Sequence, residues 1–293
     1  MNPTRQMALL SIATSVVTMA LKFGAYFLTG SVSLFSDAAE SVVNLTAGLV
    51  AFAALTIASR PADEDHTYGH DQAEYFSSGV EGALIMVAAL TIIYAAVERF
   101  FHPAALNQLG IGLLVSLLAA GANFVTARIM LKVAKIHDSI TVEADAKHLL
   151  TDVWTSVGVV GGLAVVMFTP PSWQVLDPII AILVALNIVN TGAELMRRSY
   201  DGLMDVALPL EEIATIEGVL RAELPADADF HALRTRKSGP RRFIDFHLLL
   251  PGLTTVKASH QLCDRVETAI GRSLRKTSVT IHVEPKEGHQ VEG

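Results

Sequence analysis

Residues 148–167, HLLTDVWTSVGVVGGLAVVM, decide how this chain is read. From Val153 onward the stretch is apolar enough for a bilayer, yet its first turns carry a histidine and an aspartate four residues apart. On a helix, positions i and i+4 stack on one face, so the His148 imidazole and the Asp152 carboxylate point the same way. In lipid each is costly unless it meets a partner, a cation or water. The segment predicts a membrane helix that carries half of a polar site, with the other half elsewhere in the chain.

Working outward, apolar runs fill residues 7–28, 32–58, 79–97, 109–131, 153–168 and 178–195. Each is about the length that crosses roughly 30 Å of hydrocarbon. Hydrophobic residues make up 51% of the 293, and the mean hydropathy is +0.44, which is too apolar for an ordinary soluble domain of this length. The expectation is an α-helical membrane protein with six transmembrane helices. The first run lacks a small-residue cleavage signature and is followed by five more, so it reads as an anchor and not a removable signal. Arg5, Arg60, Arg128, Lys132, Lys135, Lys147, Arg197 and Arg198 fall on one side of these runs and little more than Arg99 on the other. The positive-inside rule then puts both termini in the cytoplasm of a cell whose inner membrane holds the chain. The single cysteine, Cys263, excludes a disulfide framework and a cysteine-rich zinc site. A net charge of −7 gives no reason to expect nucleic acid.

Lipid-grade sequence ends near Tyr200, and residues 201–209 read as a linker. The division expected is a membrane domain over 1–205 and a small cytoplasmic domain over 206–293. Residues 210–223 have helical spacing after Pro209, with Glu211 and Glu212 in the first turn, where the helix dipole favours acids. Residues 230–236 and 243–250 read as strands joined at Ser238-Gly239-Pro240, residues 255–274 as an amphipathic helix, and residues 279–284 as a last strand. This αββαβ order predicts a small α+β, ferredoxin-like layer of helices on one face of a sheet.

The complement to His148 and Asp152 lies in the second run. Glu40 and Asn44 are again four apart, with Asp37 a turn earlier. If the second and fifth helices touch, Glu40, Asn44, His148 and Asp152 offer three oxygens and one imidazole to one point, a donor set suited to a divalent first-row metal. The plainer alternative is that these groups only hydrogen-bond helices together. Two buried carboxylates that repel without a cation between them weigh against it. Asp37 and Glu81 are candidates for tuning the site or for helix packing.

A second constellation is PADEDHTYGH, residues 61–70, where Asp63, His66 and His70 offer three ligands beside the bilayer; a solvated acidic loop is the alternative. In the tail, His231, His247 and His282 fall on strands, His260 begins a helix, and Glu284 shares the face of His282. His289, near the terminus, reads as incidental.

Together these features resemble the cation diffusion facilitator family. FHALRTRKSGPRRFIDFHLLL, residues 230–250, looks like the tail of its bacterial ferrous-iron/zinc efflux members. The resemblance covers essentially the whole chain. It implies a homodimer that exports divalent metal from the cytoplasm in exchange for protons, zinc first and iron, manganese, cobalt or cadmium after it. Its transport site would be Glu40, Asn44, His148 and Asp152, and its loop site Asp63, His66 and His70. Its binuclear cytoplasmic site would be His231, His247, His260, His282 and Glu284. Two departures stand out. Glu40 and the neutral Asn44 stand where the best-known bacterial members have aspartate, or histidine and aspartate in zinc-selective ones, and the amide oxygen would relax selectivity from zinc towards manganese, iron or cobalt. Gln72 stands where a lysine often pairs across the dimer with the carboxylate retained here as Asp205.

Two further functional classes fit the sequence less well. A membrane metalloenzyme needs an activated water and a general base, and no HExxH motif occurs. A metal-responsive scaffold or sensor with little transport is opposed by the intact pairs in the second and fifth runs.

Overall fold

The computed structural model describes residues 2–29, 32–101, 110–168 and 176–287, in two compact units, Met1–Tyr200 and Asp201–Gly293. The first unit is built of long helices: α1 (Pro3–Thr29), α2 (Val32–Ala58), α3 (Ala73–Phe101), α4 (Gly110–His137), α5 (Ile140–Phe168) and α6 (Leu176–Leu203). Proline respects their ends. Pro3 and Pro178 sit in first turns, where a missing N–H costs nothing, and Pro61 follows the end of α2. Among the described residues, four stretches are long and apolar enough to cross a membrane: Pro3–Phe27, Ser41–Ala58, Ala73–Glu98 and Leu114–His137.

α5 is the hub, touching α1, α2, α3 and α4. One core joins Ala8, Ala51, Ala127, Ala134 and Ala146 to Leu55, Met130, Val142 and Leu149. Small side chains let helices approach closely where lipid supplies no hydrophobic drive to pair them. α3 and α6 approach closely at a pair of glycines. A Cβ on Gly82 would lie 3.0 Å from the Gly192 carbonyl oxygen, and one on Gly192 would lie 3.1 Å from that of Gly82.

Two boundaries differ from the sequence expectation. α5 begins at Ile140, well before residue 153, so His148 and Asp152 lie inside the helix and not at its mouth. α6 runs on to Leu203, so residues 201–203 are helix and not linker. The helix ends where Asp205 turns left-handed (φ 54°) and the Val206 amide donates to the Asp201 carbonyl at 3.0 Å.

The second unit runs α7 (Leu210–Glu223), β1 (Asp229–Ser238), β2 (Arg241–Leu250), α8 (Val256–Ser273) and β3 (Thr277–Pro285). The sheet order is β1-β2-β3, antiparallel and then parallel. β2 is central, and its Ile244, Phe246, Leu248 and Leu250 pack on Ile216 and Leu220 of α7 and on Leu262, Val266 and Ile270 of α8. Thr255 caps α8 by accepting from the Ala258 amide. Gly239 (φ 52°) makes the tight turn from β1 to β2.

Candidate metal sites

Inside the helical unit, α2 and α5 do touch at the predicted point. His148 Nε2 donates to Asn44 Oδ1 at 2.9 Å, with both side chains buried. Asp152, one turn further along α5, is 2% exposed. Its two oxygens accept from Lys22 Nζ of α1 at 3.3 and 3.4 Å, and Oδ2 also accepts from Asn123 Nδ2 of α4. The side chains of Glu40 and Asp37 lie outside the described residues; the backbone places both on α2.

Around this centre lie more buried polar groups than the sequence reading assigned. Glu81 of α3 is fully buried, its Oε2 3.8 Å from His148 Nδ1, and neither carboxylate oxygen has a hydrogen bond among the described residues. Asp145, one turn before His148, accepts from Ser11 Oγ at 2.9 Å. Lys22, Asn123 and Asp145 were not anticipated as neighbours of the pair. A signal existed for Lys22, the one charged residue in the apolar run 7–28.

In the connection between α2 and α3, the three predicted ligands come together. Their candidate donor atoms lie within 4.8 Å of one another. His66 Nδ1 is 3.3 Å from Asp63 Oδ1, and His70 Nε2 is 3.3 Å from Asp63 Oδ2. The loop is shaped for this. The His66 amide donates to Asp63 Oδ1 at 2.7 Å, and Gly69 (φ 90°) lets the chain return so that its amide reaches the His66 carbonyl. The His66 amide is also the main cause holding the Asp63 carboxyl below its ordinary range, with lesser help from the two imidazoles.

In the tail, strand register builds the site. His231 pairs with His247 across the antiparallel ladder, and His247 with His282 across the parallel one, so three imidazoles line up across one sheet. Glu284 sits among them. Its Oε2 accepts from His231 Nε2 at 3.1 Å, while its Oε1 lies 3.0 Å from His247 Nδ1 and 3.4 Å from His282 Nε2. The close approach to His247 Nδ1 is not aligned as a hydrogen bond, and that buried nitrogen has none among the described residues. Two donors crowded together without a bond between them suit ligation of a shared cation. A bulge between His231 and Arg234, with Ala232 at φ 50°, re-aims His231 towards the row.

His260 is not drawn into that row. It is 75% exposed and faces Asp264 of its own helix at 3.7 Å. With Glu284 it lines a cleft of about 660 Å³ between α8 and β3. His289 lies outside the described residues. Asp205, the carboxylate that the resemblance assigns to a cross-dimer pair, here accepts from Arg236 Nη1 at 3.1 Å within its own unit.

Imidazole, amide and carboxylate groups buried in an apolar helical unit, with further histidine and carboxylate clusters in a loop and a small sheet domain, accompany a match to a cation efflux transmembrane domain, which makes the protein a membrane cation transporter and not an enzyme. The chain belongs to the cation efflux, or cation diffusion facilitator, family: residues 8–204 match the cation efflux transmembrane domain and residues 208–286 the cation efflux protein cytoplasmic domain. It is 46% identical over 97% of its length to an uncharacterized transporter, sll1263, of Synechocystis sp., covering 91% of that protein. It is 29% identical over 95% of its length to the cation-efflux pump FieF of Klebsiella pneumoniae, again covering 91%. A solved structure of the candidate zinc transporter CzrB in its zinc form is 39% identical over 29% of this chain and 96% of its own, with a TM-score of 0.27.

Proposed function

We propose that the chain exports divalent metal cations from the cytoplasm in exchange for protons. It works as a homodimer in the inner membrane, with six transmembrane helices over residues 1–205, a ferredoxin-like cytoplasmic domain over 206–293 and both termini in the cytoplasm. The observation that carries this reading is the buried contact between Asn44 on α2 and His148 on α5, with Asp152 a turn away. Glu40, four residues before Asn44 on α2, would complete a set of three oxygens and one imidazole. Zinc is the leading substrate, since a mixed imidazole and carboxylate set suits it; iron, manganese, cobalt and cadmium suit it less well.

In this mechanism the metal leaves water for ligands that partly neutralise it, which lowers the cost of carrying a divalent charge past lipid. On the far side, protons compete for the same imidazole and carboxylates and release it. The donor sets in the loop and tail fit resident metal. Asp63, His66 and His70 would hold one ion near the membrane, and His231, His247, His282 and Glu284 would hold another in the sheet, with His260 reaching in from the cleft. Metal in the tail would draw two copies together and bias the transport state. Asp37 and Glu81 would tune the pore.

Uptake of zinc into inverted membrane vesicles tests the proposal. Uptake should follow an imposed proton gradient and disappear in Asp152→Ala. Uptake indifferent to the gradient would refute the antiport, and no uptake at all would point to a metal-responsive scaffold.

A further inference from the structure

Lys22 is fully buried within the helical unit, and its ammonium straddles the Asp152 carboxylate at 3.3 and 3.4 Å. A divalent ion bound to Asp152 would sit about 2 Å from a carboxylate oxygen. It could not share that carboxylate with an ammonium without strong like-charge repulsion. Lysine is suited to stepping aside, being a compact charge on a flexible four-carbon stem. Protein groups already engage both oxygens of Asp152, through Lys22 and Asn123, and His148 Nε2, through Asn44, while His148 Nδ1 has no hydrogen bond among the described residues.

We infer that Lys22 is a tethered counter-cation: it neutralises Asp152 in the metal-free carrier and is displaced from that carboxylate when a divalent cation binds. The inference rests on the export reading above and adds a residue to it. Two consequences follow from charge alone. Displacing Lys22 costs part of the metal's binding energy, so the site holds its cargo loosely enough to release it. On the return leg, with protons on the other ligands, Asp152 is neutralised by Lys22, where a bare carboxylate would oppose reorientation through lipid. Lys22 is a positioning residue, acting on metal through Asp152.

The full-length protein in lipid vesicles, with zinc as probe, tests this in two arms. In the binding arm, the zinc-binding component abolished by Asp152→Ala is measured in wild type, Lys22→Gln and Lys22→Met. Affinity should tighten about tenfold or more when the competing charge is gone. In the flux arm, exchange of zinc for zinc, which needs no empty return, is compared with net efflux. Both variants should retain exchange and lose most net efflux. Unchanged affinity, or equal loss of both flux modes as a packing defect would give, overturns the inference. Should neither variant fold, the 15N signal of Lys22 Nζ in the wild type must shift on adding zinc, and an unmoved signal overturns it equally. A wild type that carries no zinc refutes the export reading, while the binding arm still judges Lys22.

Discussion

Replacing Asn44 by aspartate puts a charge where this site has a neutral amide. The amide oxygen lies 2.9 Å from His148 Nε2, and Asn44 is 3% exposed, so an isosteric carboxylate would face the same centre with little water to screen it. Taking about 4 Å between a divalent ion and the carboxylate's charge centre, and an effective dielectric of about 20, the gross attraction is about 8 kcal/mol. Against it stand several kcal/mol for burying another anion and for its repulsion from Asp152. The surplus is of order 1–3 kcal/mol, or roughly 10- to 100-fold in affinity. Zinc, cobalt and manganese should all gain, since the added attraction is mainly Coulombic. Calorimetric titration of Asn44→Asp and wild type with each metal, counting only the component that Asp152→Ala removes, gives the answer. Unchanged or weaker binding of all three would mean that Asn44 only orients His148, and the α2–α5 contact would lose its standing as a ligand pair.

Glu284→Gln should abolish high-affinity zinc binding in the tail, because the three aligned imidazoles converge on that carboxylate; His260→Ala should cost much less, and the reverse ranking in zinc titrations would move the site to the cleft. Arg242 grips Glu212 with two hydrogen bonds of 2.8 and 2.6 Å, and this contact holds the Glu212 carboxyl below its ordinary range. Glu212→Gln should therefore cost the tail about 1 kcal/mol at neutral pH, after allowing for partial exposure of the pair. A depressed carboxyl stabilises the fold above its unfolded value and loses that contribution as pH falls through the lowered one, so wild type and variant should converge in acid. Hydrogen exchange of β2 amides in the full-length protein, corrected for intrinsic rates, would show it; a gap independent of pH refutes the ion pair's role.

What the sequence made legible was local. The i,i+4 spacing of Glu40 with Asn44 and of His148 with Asp152 is a property of one helix at a time, and so is the loop triad, whose ligands fall within eight consecutive residues. The αββαβ order was readable because turn residues and the acidic start of α7 punctuate it. The partners of each pair were not readable, because which helices touch is decided by packing between segments far apart in the chain. Lys22 and Asp152 are separated by 130 positions, and no periodicity on α1 says that Lys22 faces α5. The tail histidines make the same point. His231, His247 and His282 look like scattered strand residues until the register, antiparallel on one side and parallel on the other, places them in one row. His260 is harder to read for a related reason: an amphipathic helix shows which face is apolar, not which polar residue looks towards a neighbouring sheet, and in this structure His260 faces Asp264 of its own helix. Charges inside an apolar run therefore carry more information together than singly. Lys22 alone is an oddity of α1, but beside an acid and a histidine of α5 it becomes a counter-charge whose partner the fold supplies.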